Sequence, residues 1–436
     1  MSNPEGSPGV QSPVRRIFGN FGFLLRGRGI AAVMLLGATA LMARTLGPVG
    51  FGLAVLMQTY VQLVRGLLNV KQFQGIIRYG VPAYDAGDIH TLRRLIGICR
   101  RMDRYTSIAA TLVALLMAPL IGPAMGMNQD QVILLAAYSL VLLASGNITD
   151  IGVLRLFDQF NVLARTEIIS PAIRFFGVVI AWWLESPFPV FIAILALASV
   201  TGNLYLSWCG RREYRQRIGP VPEGKNIADA RIAEFSGLRH FLWITYWQSN
   251  LDLIQKRGSI ILAGYLLGAS EAGLLRLARQ FSTLLAKPAV LIRQVAFPDL
   301  TRSWNQGSDD FKLIAYHTAL LGGGVGLVFV LAGYFFGDEL LRMLVGEEFV
   351  AAAPVLTLLL LAATFELTAS SLRSASYAIG HAIKVLHLSL LSAVIYMSLF
   401  IVLTSKMGLT GAGVAACVSA ALPPLVMVII IHQSTR

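Results

Sequence analysis

The chain has 436 residues, 56% of them hydrophobic and only 14% charged, and its mean hydropathy is +0.67. Soluble proteins carry about 25% charged residues, so a soluble globular domain is excluded and a polytopic membrane protein is indicated. The net charge of +13 suits cytoplasmic loops beside anionic lipid heads better than nucleic acid.

A bilayer-spanning helix needs about 20 mostly apolar residues. About twelve stretches qualify, at 30–46, 50–75, 105–124, 131–154, 166–184, 187–208, 240–266, 272–297, 314–336, 350–372, 383–404 and 410–432. The N-terminal "PVRRIFGNFG" has a faint likeness to a twin-Arg export signal, with "ATA" at 38–40 in the place of a cleavage site. Arg15 and Arg16 read better as charges that hold the N-terminus inside, with 30–46 a retained first helix.

Basic residues then alternate along the chain. They are dense across 71–104 and 209–240, whereas the opposite loops hold only Arg44, Arg342 and Lys406. This asymmetry predicts that both termini are cytoplasmic. The longest polar stretch, "GRREYRQRIGPVPEGKNIADARIAEFSG" (210–237), reads as a cytoplasmic linker.

A shift of 221 residues lays "ARTLGPVGFGLAVLMQ" (43–58) on "GYLLGASEAGLLRLAR" (264–279). Leu46, Gly47, Gly52, Leu53 and Leu56 then match Leu267, Gly268, Gly273, Leu274 and Leu277. Each copy is a helix, a short external turn and a second helix, as in transporters built from related halves. The predicted fold class is all-α integral membrane, with about 12 transmembrane helices in two pseudo-symmetric six-helix lobes around a central cavity. Residues 1–29 form an N-terminal segment, 30–209 the N-lobe, 210–237 the linker and 238–436 the C-lobe.

Charges inside the helices point to the site. At 100° per residue, Thr245, Gln248, Ser249, Asp252, Gln255, Lys256 and Ser259 share one side of helix seven, and Arg257 falls well off it. Helix eight carries Arg276, Arg279, Gln280, Thr283, Lys287 and Gln294; helix two carries Gln58, Gln62, Arg65, Asn69 and Gln72. A charge at the bilayer centre costs about 2.5–3.5 kcal/mol, so these stripes should face water, an anion or each other. Polar side chains that only bridge neighbouring helices are the plainer alternative. Arg174, Arg293 and Arg276 read as snorkelling towards helix ends. Cations outnumber the deep acids Asp252 and Glu366, and Arg and Lys pair strongly with phosphate. We therefore take Arg65, Lys256, Arg279 and Lys287 as anion-binding candidates, and Asp252 and Glu366 as ion-coupling candidates. Asp252 serving only to neutralise Lys256 is the competing role.

Weaker signals complete the survey. In "LGGGVGLVFV" (321–330), Gly322 and Gly326 have the spacing of close helix packing. Cys99, Cys209 and Cys417 are isolated, and the six histidines lack ligand spacing, so no metal site is expected.

"ARTLGPVGFGLAVLMQ" followed by "IIRYG", and "LDLIQKRGSIILAGYLLGASEAGLLRLARQ", resemble the two half-starts of oligosaccharide flippases of polysaccharide biosynthesis. These belong to the multidrug/oligosaccharidyl-lipid/polysaccharide exporter superfamily. Leu275 stands where that family usually has Tyr, and Lys256–Arg257 is unusually basic for it. The resemblance implies a two-lobed transporter that moves undecaprenyl-pyrophosphate-linked oligosaccharide units across the inner membrane by alternating access. It serves lipopolysaccharide or exopolysaccharide synthesis beside a polymerase and chain-length system. A peptidoglycan-precursor flippase and a multidrug exporter share the fold; the latter would favour acidic cavity residues. No catalytic constellation of His, Arg and acid stands in the short external loops, so no enzyme and no cofactor is expected. Energy would come from an H+ or Na+ gradient, and the partners would be the lipid-linked sugar and membrane lipids, with no nucleic acid.

Overall fold

A computed structural model of the chain describes residues 13–219, 235–283, 310–379 and 381–434, without the side chains of 13–28, 248, 252, 310, 314, 378, 382 and 434. Among the described residues every regular element is a helix. In order they are α1 (Pro13–Leu68), α2 (Gln72–Asp85), α3 (Ile89–Ala124), α4 (Gln129–Ser139), α5 (Ile148–Leu156), α6 (Phe160–Trp183) and α7 (Phe188–Ile218). Then follow α8 (Leu238–Leu253), a π turn (Ile254–Gly258), α9 (Ser259–Leu267), α10 (269–283), α11 (Asp310–Leu344), α12 (Ala353–Ala378), α13 (Ala382–Met407) and α14 (Leu409–Ser434).

Eight of the described helical stretches are long and apolar enough to cross a membrane. The first, Gly29–Leu68, contains the helix expected at 30–46 and most of the one expected at 50–75, which ends early at Leu68. Of the other expected spans, 166–184 is α6, helical to Trp183, 240–266 is interrupted by the π turn, and 272–297 is described only as far as residue 283, where it is helical. Exposed aromatic rings mark the span ends: Tyr105, Trp208, Trp243 and Trp247 at ends predicted as cytoplasmic, and Trp182, Trp183, Tyr265 and Tyr334 at ends predicted as external. Amphipathic rings settle at the headgroup level for this reason.

The described chain forms two compact units, each discontinuous in sequence. The first comprises Met1–Met42, Leu68–Leu116 and Ala136–Gln248. Its core joins Ile76 of α2, Leu92, Leu95 and Ile96 of α3, Val153 of α5 and Leu238 and Leu242 of α8. The span expected as one helix at 131–154 is broken, because a 3-10 turn (Leu140–Ser145) and residues 146–147 separate α4 from α5. A side chain takes up one freed backbone group there, and further side-chain contacts flank the break. Asp103 accepts from the Thr149 amide at 2.8 Å, Asn147 donates to the Asn203 side chain at 2.9 Å, and Arg100 lies 3.6 Å from the buried Asp150 carboxylate. A broken span is tolerated in a membrane where such partners exist.

The second unit comprises Ala43–Leu67, Met117–Leu135 and Ser249–Arg436. Here α12 packs chiefly on α11 and α14. At Gly326 a Cβ would lie 2.5 Å from Thr364 Oγ1, so α11 and α12 approach closely at the predicted small-residue positions. The repeated turns also belong to this unit. Gly47 has φ 65 and ψ 177, and Gly268 has φ 98 and ψ 175. A positive φ ends a right-handed helix at little cost only in glycine, so the same residue makes the same turn in both copies. The matched pair Gly52 and Gly273 touch: a Cβ on Gly273 would sit 3.0 Å from Gly52 Cα, and one on Gly52 would sit 1.9 Å from Ala269 O. The second limb of α1 and α10 therefore cross backbone to backbone.

Candidate anion site

The site is built where helix seven departs from α geometry. The π turn Ile254–Gly258 separates α8 from α9, and it widens the helix by about a residue per turn, a feature often found at functional positions. Ser259 Oγ donates to Gln255 O at 2.7 Å. Arg279, reaching from α10, donates from Nη1 to Lys256 O at 2.6 Å and to Ser259 Oγ at 2.7 Å, while its Nη2 meets the Tyr396 hydroxyl of α13 at 2.7 Å. One guanidinium thus satisfies a carbonyl loosened by the turn and fastens three helices together.

On the other side of the turn, Arg257 Nη1 donates to Gln62 Oε1 on α1. The approach is close because Gly66, next to Arg65, has no side chain: a Cβ there would lie 2.3 Å from Leu253 Cδ2. Arg257 has Arg65 and Arg276 as charged neighbours, and Arg276 in turn has Arg279. Four guanidiniums from α1, the π turn and α10 form a chain of like charges, all of them partly buried. Lys256, in the same turn, is exposed.

The structure therefore brings together Arg65, Lys256 and Arg279 of the expected set. Lys287 lies outside the described residues, as do Gln294 and Arg293. Asp252 lies on α8 directly ahead of the π turn, but its side chain is outside the description. Glu366 is exposed on α12.

Three details differ from expectation. Arg257 joins the helix-two stripe through Gln62 although a 100° wheel places it off the polar side; the wider π turn breaks that periodicity. Arg276 has Arg279 for a neighbour rather than standing alone near a helix end, and Arg174 is buried at 9% exposure, so neither snorkels freely. The helix-two stripe stops at Arg65, because α1 ends at Leu68 and Gln72 begins α2 as a buried residue of the first unit. Tyr396 carries no charge and no repeat match, and nothing in the sequence singled it out. Among the described residues no group of three or more His, Cys, Asp or Glu could hold a metal ion.

A cluster of this kind can do one thing readily: hold a multiply charged anion. Guanidiniums present several donors each in a planar fork, and an oxyanion among them replaces mutual repulsion with charge-assisted hydrogen bonds.

Comparison with known proteins supplies the family. Residues 17–304 match the family model described as "Polysaccharide biosynthesis protein". The chain is 24% identical over 352 residues to the inner membrane protein YghQ of Escherichia coli (strain K12), covering 78% of this chain and 95% of that one. It is 26% identical over 211 residues to the teichuronic acid biosynthesis protein TuaB of Bacillus subtilis (strain 168), covering 46% of this chain and 40% of that one. The solved structure of lipid II flippase MurJ in its inward closed conformation superposes with a TM-score of 0.75 at 12% identity, over 94% of this chain and 88% of that one. The fold is shared with that transporter, and the chain belongs to the polysaccharide biosynthesis protein family.

Proposed function

We propose that the chain is a flippase that carries undecaprenyl-pyrophosphate-linked oligosaccharide units from the cytoplasmic to the external leaflet of the inner membrane. The product would feed lipopolysaccharide or exopolysaccharide synthesis, beside a polymerase and chain-length system. The observation that carries this reading is the guanidinium chain of Arg65, Arg257, Arg276 and Arg279 at the π turn of helix seven. Sugar hydroxyls cannot cross hydrocarbon without losing their water, and a pyrophosphate cannot cross without paired cations. The cluster answers the second need, and polar faces on the same helices answer the first. A multidrug exporter of organic cations would be repelled by the same charges. No bond is made or broken, so the protein is not an enzyme on this reading, and both termini lie in the cytoplasm.

Alternating access needs an energy source, which we assign to an H+ or Na+ gradient acting through Asp252, with Glu366 as second candidate; no cofactor takes part. The test is leaflet-resolved transport of lipid-linked sugars in proteoliposomes. The wild type should move a pyrophosphate-linked sugar when a gradient is imposed, and Asp252→Asn should abolish that movement while sparing ligand binding. Failure to move any such lipid would refute the function. Ungated transport by the Asp252 variant would refute the coupling alone.

A further inference from the structure

A basic, aromatic surface stands in the first unit, on neighbouring helices α6 and α7. Tyr205 and Trp208 lie one turn apart near the polar end of α7, their rings stacked at 5.8 Å and 30°. Trp208 is 54% exposed. The Arg212 guanidinium sits over its ring at 5.4 Å. The Tyr205 hydroxyl is hydrogen-bonded with Cys209 one turn on, and Arg165, in the second turn of α6, is with Arg212 one of its two charged neighbours. Both arginines are exposed, and among the described residues neither is in an ion pair. Glu213, beside Arg212 in sequence, is already engaged by Arg217 at 3.1 Å and Gln159 at 3.0 Å.

Position narrows the ligand. Apolar α7 gives way to "WCGRREYRQR" at Trp208, so the surface sits at the headgroup level, where an aromatic ring has one side in acyl chains and one in water. A structural belt needs only the rings. Two arginines from different helices beside one stacked pair, neither in an ion pair among the described residues, add a reason for negative charge at that level. We propose that Arg165, Tyr205, Trp208 and Arg212 bind the phosphate headgroup of an anionic phospholipid, with the Trp208 ring against its glycerol and upper acyl region. The site rests on the membrane-spanning fold and does not depend on the transport reading.

The test is native mass spectrometry of the full-length protein in detergent, titrated with phosphatidylglycerol and with phosphatidylcholine of the same acyl chains. The wild type should bind phosphatidylglycerol more tightly. Arg165→Gln and Arg212→Gln should each weaken its tightest site about fivefold, the effect of one basic residue at an anionic surface. Arg342→Gln, at the other end of the spans, should change nothing. If the double Gln variant does not fold, Arg165→Lys with Arg212→Lys keeps the charges and should keep the preference. Equal affinity for the two lipids, or an unchanged double Gln variant, would overturn the proposal. Displacement of the lipid by inorganic phosphate at equal concentration would overturn it too, since the site would then be one for free phosphate and the lipid would be incidental.

Discussion

Arg257 shows how much one side chain can decide in a medium without water. Its partner Gln62 is neutral and its charged neighbours Arg65 and Arg276 repel it. Removing the acceptor should therefore raise the strain on the cluster, whereas removing the charge should relieve it. Gln62→Leu is expected to lower stability by about 1–3 kcal/mol, the cost of an unsatisfied buried donor. Arg257→Gln should be close to neutral or stabilising, yet should weaken binding of a pyrophosphate lipid by about 1–3 kcal/mol. Thermal unfolding and ligand affinity on the same two variants separate these effects. A large loss of stability in Arg257→Gln would mean that the guanidinium is a structural strut.

Among the elements, the repeated turn is the clearest case of sequence dictating backbone. Gly47 and Gly268 adopt nearly the same conformation 221 residues apart, and in each copy an Ala substitution would force a Cβ into a left-handed conformation. Each substitution should cost about 1–2 kcal/mol, and Gly52→Val, which drives atoms into Ala269 O, should prevent α1 and α10 from crossing at all. Equal thermal stability of the wild type and Gly268→Ala would contradict the account of the turn. These elements were legible because their determinants are local: apolar run length, a glycine at a fixed offset, small residues at GxxxG spacing. The breaks were not. The 3-10 interruption at Leu140–Ser145 depends on Asp103 and Asn203, which are remote in sequence. The π turn leaves no compositional mark except a Lys-Arg-Gly that a regular helical wheel misplaces. Hence Arg65 and Arg279 could be read from periodicity, while Arg257 and Tyr396 had to be seen in three dimensions.

At the scale of the whole molecule, family membership and fold agree on a multi-pass membrane protein of polysaccharide biosynthesis. The uneven spread of Lys and Arg predicts which side each loop faces. Cysteines placed at Gly224 and Gly346 should label from opposite sides of the membrane, the first from the cytoplasm; labelling of both from outside would contradict the predicted topology. The central claim is that a chain of basic side chains within a largely apolar molecule exists to receive an anion. Its most direct test is the affinity of the purified protein for a polyprenyl pyrophosphate against the uncharged polyprenol of equal length. The wild type should prefer the pyrophosphate by at least about tenfold, as one charge-assisted contact already supplies about 1.5 kcal/mol, and Arg257→Gln with Arg279→Gln should erase most of that preference. Equal affinity of the wild type for the two lipids would contradict the account.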